Sequence, residues 1–168
     1  MNAVREFLAR YRVRLGFVAA VAALWLSRPT TRSVALGAVI ALAGEAVRIW
    51  AAGHLEKGRE VTASGPYRLT RHPLYAGSAL MGLGFALASN SLWTAAITAA
   101  YLALTIGAAI GREEKHLTEK FGCAYPEYRE GRLDGARRFS AARAWRNREY
   151  RAAAGMAAVL ALLLWKAL

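Results

Sequence analysis

The chain has 168 residues, 56% of them hydrophobic, and carries 23 Lys and Arg against 11 Asp and Glu. Its length suits one domain spanning residues 1–168. A net charge of +12 can indicate nucleic-acid binding, but here the basic residues lie between long apolar runs. This placement excludes nucleic acid and favours anionic lipid headgroups as the partner. The single cysteine, Cys123, excludes an internal disulfide and a cysteine-pair metal site, so we expect no metal.

Apolar runs of this length predict an all-α, polytopic membrane bundle of about five transmembrane helices. In chain order they cover residues 13–27, 33–53, 73–89, 92–111 and 151–168. The first run lacks a small-residue cleavage site, so we expect it to remain as an anchor. The third and fourth runs are joined almost directly at Asn90 and Ser91, which predicts a tight antiparallel hairpin. The start of the third helix and the end of the fourth should therefore lie at the same membrane face.

The distribution of basic residues predicts the orientation. Of the 22 Lys and Arg outside the second run, 19 lie in the N-terminal segment, the second-to-third loop and the fourth-to-fifth loop, and three lie on the other side. The positive-inside rule places the first group in the cytoplasm and the C-terminus outside. A bacterial protein of this kind would lie in the inner membrane.

Two charged residues, Glu45 and Arg48, lie within the second apolar run. Their spacing of three places them on one helix face, where they can pair. Charge at membrane depth usually faces a bundle interior or a wet cavity. Both a structural ion pair and a functional role fit this pattern.

Arg71-His72-Pro73 opens the third helix. Proline is favoured at the first helical position, and the residue before it is kept out of the helical region. The helix should therefore begin abruptly, and a helix N-terminus beside an arginine is suited to anions.

Glu113 and Glu114 follow the fourth apolar run. Adjacent helical side chains point about 100° apart, so only one of the two glutamates can face a given cavity. Through the hairpin both glutamates should approach Arg71 and His72, which would suit a ligand that carries both signs of charge.

The two motifs R-H-P-x-Y-x-G and E-E-x-x-L-x-x-x-F-G-x-x-Y-x-x-Y occur in order at the two ends of this hairpin. Together they resemble the isoprenylcysteine carboxyl methyltransferase family, with which phospholipid N-methyltransferases share a design. The likeness covers residues 54–128, and the basic segment and apolar helix of residues 129–168 are additional. It implies a membrane methyltransferase that uses S-adenosylmethionine at the cytoplasmic face to methylate a lipophilic acceptor on oxygen, nitrogen or sulfur.

The resemblance also implies a set of site residues. Glu113 would hold the ribose or amino group of the cofactor, and the carboxylate of its methionine part would lie near Arg71. The remaining cofactor-binding residues would be His54, Glu60, Val61, Thr62, Tyr67, His72, Pro73, Leu74 and Tyr75.

Three residues are candidates for catalytic roles. An amine acceptor must be unprotonated, so Glu114 would act as a base for it, and Arg112 or Arg48 would have to meet the polar head of the acceptor. In eukaryotic prenylcysteine enzymes an arginine one turn before the glutamates meets the substrate carboxylate, and here Ala109 stands at that position. This departure argues against a prenylcysteine substrate. Two alternative functions remain open at this point: an NADPH-dependent membrane lipid reductase and a non-catalytic lipid-binding membrane protein.

Overall fold

The computed structural model describes residues 16–133 and 135–168, and within these ranges it contains helices and no strand. This confirms the predicted all-α class. The helices are α1 (Gly16–Leu26), α2 (Thr31–His54), α3 (Pro73–Ser89), α4 (Leu92–Phe121), α5 (Ala124–Arg129), α6 (Ala141–Arg146) and α7 (Tyr150–Ala167), with a short 3-10 helix at Gly65–Arg68.

Within the described ranges, α2, α4 and α7 are long and apolar enough to cross a membrane, by length and composition. They support an integral membrane protein. The predicted first and third spans correspond to the shorter apolar helices α1 and α3, the latter of 17 residues. Residues 13–15 of the predicted first span lie outside the described residues. The total of about five crossings, and the side of the membrane that each end faces, stay predictions.

Helices α2 and α3 form the closest pair in the bundle, and glycines make this approach possible. A Cβ atom on Gly84 would lie 2.5 Å from the backbone nitrogen of Ala41, and one on Gly44 would lie 2.7 Å from the carbonyl oxygen of Gly77. Small residues at such positions let membrane helices pack backbone against backbone. The side chains of Ala41 and Met81 fill the seam between the glycine contacts.

The hairpin of α3 and α4 forms as predicted. Asn90 ends α3 in the left-handed conformation, with φ of 49°, and its side chain donates to the carbonyl of Arg28 at 3.2 Å. Ser91 then caps α4 by accepting from the backbone N–H of Thr94. The turn brings the first turn of α3 beside the last turns of α4.

Helix α4 extends beyond its apolar run. The hydropathy ends the predicted fourth span at residue 111, but the helix continues to Phe121. Straight-chain charged residues such as Arg, Glu and Lys are good helix formers, so loss of hydrophobicity there does not end the helix. The extension projects Glu113 and the residues after it from the end of the bundle.

The segment between α5 and α7 folds back onto the C-terminus of α2. Asn147 donates from its side chain to the carbonyls of Ala52 and Leu55, at 2.8 and 2.9 Å, and Arg143 donates to the carbonyl of Gly53. The last carbonyls of a helix have no partner within the helix, so these contacts satisfy groups that would otherwise need water.

Candidate functional site

A cavity of 540 Å³ lies at the end of the bundle where α2 ends and α3 begins. The loop after α2, the first turn of α3, the end of α4 and α5 form its walls. It has the size of small-molecule sites, which span about 300–1,000 Å³. Ten of the eleven predicted cofactor-binding residues line it: Glu60, Val61, Thr62, Tyr67, Arg71, His72, Pro73, Leu74, Tyr75 and Glu113.

The eleventh residue, His54, lies outside the lining of the cavity. It is 5% exposed, and its Nδ1 is 3.1 Å from the hydroxyl oxygen of Ser64. Gly65 passes over the imidazole with φ of 59°, and a Cβ there would lie 2.6 Å from the ring. The structure therefore does not place His54 with the other predicted cofactor-binding residues. His54 instead supports the turn that presents Tyr67, a role that depends on contacts across the loop.

The turn that presents Tyr67 is also held in place by a contact from α5. The hydroxyl of Tyr128 donates to the backbone carbonyl of Tyr67 at 2.6 Å. Burial raises the pKa of Tyr128 to about 12 and also raises the pKa of Tyr67, so both phenols are neutral at physiological pH. Tyr128 therefore remains a donor, and the second tyrosine of the Y-x-x-Y motif ties α5 to the wall of the cavity.

The first turn of α3 follows the prediction from the His72-Pro73 sequence. His72 has φ of −132° and ψ of 57°, outside the helical region, and Pro73 is the first helical residue. The carbonyl of His72 accepts from the N–H groups of Tyr75 and Ala76 at 3.1 and 3.0 Å. The side chains of His72 and Tyr75 extend from this turn to the cavity.

The two glutamates of α4 separate as the helical period requires. Glu113 lines the cavity together with His116, Leu117 and Phe121, which follow it by three, four and eight residues on one helix face. Glu114 does not belong to the lining. Its Oε1 is 3.2 Å from Nε2 of His72 and 3.4 Å from Nη1 of Arg71, and it accepts from the hydroxyl of Tyr125 at 3.1 Å.

Tyr125 completes this contact. It is 1% exposed, and burial, followed by its hydrogen bond to Glu114, raises its pKa to about 12. Glu114 thus joins the start of α3 to α5. The geometry does not favour its predicted role as a base, because its carboxylate is held by three donors beside the cavity and is not part of its wall.

Arg48 of α2 also lines the cavity. The predicted pairing with Glu45 is present at 3.7 Å, but the shorter ion pair, at 2.6 Å, is with Glu149 at the start of α7. Arg48 also donates to the hydroxyl of Ser78. Glu149 was not predicted, because nothing in the sequence indicates that residues 149 and 48 meet.

Two apolar grooves meet the cavity at Ser78. One, of 420 Å³, lies among α1, α3, α4 and α7 and also contacts Arg48. The other, of 700 Å³, lies along α1 and α4 and is lined at its charged end by Arg112 and Ala109. Ser78 was not among the site residues predicted from the sequence. The periodicity of α3 places it one turn after Leu74 and shortly after Tyr75, both cavity residues, which was a usable signal.

The charges in the cavity are mixed. Lys57, Arg71 and Arg48 bring positive charge, and Glu60 and Glu113 bring negative charge. Tyr67, Tyr75 and Phe121 provide aromatic faces. In the described ranges no group of three or more His, Cys, Asp or Glu is arranged to hold a metal ion.

The fold and the site together define a helical membrane protein with a cavity at one end of an α-helical hairpin and two apolar grooves that share Ser78 with it. The family model for phospholipid methyltransferase matches residues 33–124, which is more than half of the chain, and the chain belongs to this family. The match confirms the predicted relationship and extends it toward the N-terminus to include α2. The family supports methyl transfer at a membrane as the general class of activity.

Two curated relatives are similar over much of the chain. The cobalt-zinc-cadmium resistance protein CzcN of Cupriavidus metallidurans is 31% identical over 144 residues, covering 77% of this chain and 63% of the relative. The nickel-cobalt-cadmium resistance protein NccN of Alcaligenes xylosoxydans xylosoxydans is 33% identical over 106 residues, covering 62% of this chain and 46% of the relative. The chain therefore spans less than two thirds of the length of either relative. No solved structure matches the chain.

Proposed function

We propose that this protein is an S-adenosylmethionine-dependent methyltransferase that acts on a lipophilic acceptor, with its site at the cytoplasmic face of the membrane. The observation that carries the proposal is the junction at Ser78, where a charged cavity meets two apolar grooves. A polar, charged cofactor and an apolar acceptor need such unlike surroundings side by side. Membership in the phospholipid methyltransferase family supports the same assignment.

The residues of the cavity fit S-adenosylmethionine. Arg71 at the start of α3 suits a carboxylate, and Glu113 suits an ammonium group or ribose hydroxyls, because charge-assisted hydrogen bonds are the strong ones. Tyr67 and Tyr75 provide aromatic faces for a sulfonium cation. His72, Pro73 and Leu74 also line the cavity, as do Glu60, Val61 and Thr62 of the loop after α2.

When bound, the cofactor would supply an electrophilic methyl group on a sulfonium, with a neutral thioether as the leaving group. The protein's contribution is to align the two reactants and to exclude water, which accounts for much of the catalysis in such displacements. Arg48 and Arg112 lie where the two grooves reach polar surroundings, and we assign them to the polar head of the acceptor. Glu114 is assigned to positioning His72 and Arg71 rather than to proton transfer.

The acceptor is proposed to enter from the bilayer along the grooves. Ala109, at the position of the substrate-binding arginine in eukaryotic prenylcysteine enzymes, lies in the wall of one groove. Its small apolar side chain disfavours prenylcysteine carboxylate and favours other lipid acceptors. The basic residues at this end of the bundle are proposed to contact anionic headgroups.

Equilibrium binding in detergent tests the cofactor assignment. We expect saturable binding of S-adenosylmethionine and none of NADPH, with affinity reduced about tenfold or more in Glu113→Gln, since an ionic hydrogen bond is lost. Glu119→Gln is the matched control, because Glu119 pairs only with Lys115 among described contacts, at 3.8 Å on the exposed side of α4. Binding of NADPH instead would favour the reductase reading. A folded protein that bound neither would favour the non-catalytic lipid-binding reading.

The names of the relatives suggest a physiological setting. We propose that methylation by this protein contributes to resistance to divalent transition-metal ions, as the names of the two relatives indicate for those proteins. Growth of a deletion strain in cobalt, zinc, cadmium or nickel salts, complemented with wild type or Glu113→Gln, tests this. Equal growth of all strains at every metal concentration would contradict it.

A further inference from the structure

Residues 137–149, which we call the strap, lie outside the family match and run along the end of α2 beside the loop that walls the cavity. Arg143 anchors the strap: its Nε is 2.7 Å from Oε1 of Glu56, and both side chains are largely buried, at 15% and 18% exposure. The same guanidinium donates to the carbonyl of Gly53. The strap is thus fixed to the last turn of α2 and to Glu56, two residues after its end.

A second ion pair reaches the cavity itself. Arg137 pairs with Glu60 at 2.6 Å and donates to the carbonyl of His54 at 3.3 Å. Glu60 lines the cavity, whereas Glu56 does not. The strap therefore holds the loop at two carboxylates, one outside the cavity and one in its wall.

The loop that carries both carboxylates has no regular secondary structure. Residues 55–64 form turns and bends rather than a helix or strand, and residues 57–60 are exposed. A segment with few buried apolar contacts and exposed backbone opens locally at low free energy unless other parts of the structure hold it.

We propose that Arg143 and Arg137 are positioning residues that hold loop 55–62 against the cavity through Glu56 and Glu60, so that ligand affinity depends on the strap. The identity of the ligand as S-adenosylmethionine rests on the proposed function. The dependence of the loop on the strap does not, and it can be measured separately.

Glu56→Gln is the decisive variant for affinity, because Glu56 is part of the loop but not of the cavity wall. We expect the Kd for S-adenosylmethionine to rise about tenfold, mainly through faster dissociation, because a largely buried charge-assisted hydrogen bond is weakened. Arg137→Ala should have a smaller effect, about threefold, because its pair with Glu60 is partly exposed, at 26% and 47%. Arg137→Lys keeps the charge but not the forked geometry, so its Kd should lie between those of Arg137→Ala and wild type. Glu119→Gln is again the matched control.

Trypsin cleavage gives a measurement that needs no ligand. Lys57 and Arg59 are exposed in the loop, and mass spectrometry of cleaved protein identifies cuts at these two residues. Cleavage there should be faster in Glu56→Gln and Arg137→Ala than in wild type and Arg137→Lys. Failure of wild type to bind S-adenosylmethionine would count against the proposed function, and the cleavage rates would still test the strap. Unchanged cleavage in both variants, or unchanged affinity where wild type binds, would overturn the inference.

Discussion

The carboxylate of Glu149 lies 2.6 Å from Nη2 of Arg48, joining the start of α7 to the inner part of α2. The Arg48 side chain is 19% exposed and that of Glu149 is 8% exposed. The pair is therefore shielded from water, and each charge depends on the other for compensation. Because Arg48 also lines the cavity and one groove, this contact links the C-terminal helix to the site.

Replacement of Glu149 by glutamine should destabilise the protein. Removal of one partner of a buried ion pair typically costs about 3–5 kcal/mol, because the other charge is left uncompensated. The nearby Glu45 offers partial compensation at 3.7 Å, so we expect the lower end of that range. Chemical unfolding in detergent measures the change. Arg132→Gln, which breaks an exposed pair with Glu130, is the control, and an effect of Glu149→Gln no larger than that of the control would contradict this prediction.

The close approach of α2 and α3 should make Gly84→Ala destabilising. The added methyl would lie 2.5 Å from the backbone nitrogen of Ala41, and overpacking of this kind costs about 1–3 kcal/mol. Gly107→Ala is the matched control, because a Cβ there meets nothing within 4 Å. Alanine is favoured over glycine within a helix, so the control should be neutral or slightly stabilising. Thermal unfolding in detergent compares the two, and equal melting temperatures would show that the helices do not pack this closely.

Ala109→Trp should obstruct the groove that Arg112 borders. Ala109 lines that groove but not the cavity, so methyl transfer into a total membrane lipid extract should fall about tenfold while the cofactor Kd stays within about threefold. Incorporation of labelled methyl groups and equilibrium binding measure the two effects. Ala103→Trp is the control and should leave methyl transfer unchanged, because it adds the same side chain at an exposed position of α4 that lines neither groove nor cavity. Undiminished transfer in Ala109→Trp would argue against this route for the acceptor.

Tyrosine ionisation should destabilise the protein at alkaline pH. The pKa of Tyr128 and that of Tyr125 are each raised from 10.0 to about 12, so their stabilising effect is complete below pH 10 and is lost as pH rises through 12. The melting temperature should therefore fall between pH 10 and pH 12. In Tyr128→Phe the fall should be shallower, and stability at pH 7 should drop by about 1 kcal/mol through loss of the hydrogen bond to Tyr67. If the melting temperature of Tyr128→Phe fell as steeply with rising pH as that of wild type, ionisation of Tyr128 would not be the cause of the fall.

Much of the architecture could be predicted because its determinants are local. The apolar runs indicated the helices, Asn90-Ser91 indicated the hairpin, and Pro73 marked the first residue of α3. The hairpin then predicted the approach of Glu114 to His72, which the structure shows at 3.2 Å. The length of α4 was underestimated, because hydropathy measures where apolar residues end and not where the helix ends.

The two glutamates illustrate a feature that local sequence patterns do not determine. The helical period established that only one of Glu113 and Glu114 could face a cavity, but not which one. That choice depends on how α4 is rotated relative to α3 and α5, which the contacts of Tyr125 and His72 with Glu114 determine. His54 is a similar case, because its burial under Gly65 depends on the path of the whole loop.

By itself, the sequence determined the helical class, the order of the apolar helices and the hairpin. These follow from hydropathy, helical period and proline geometry, which act over a few residues. Its resemblance to a known family indicated ten further residues that line the cavity. Only the tertiary structure decided that Glu149 pairs with Arg48, that the strap holds Glu56 and Glu60, and that the grooves meet at Ser78. Those relationships join segments far apart in the chain, and their partners are set by how the helices pack against one another rather than by any local pattern.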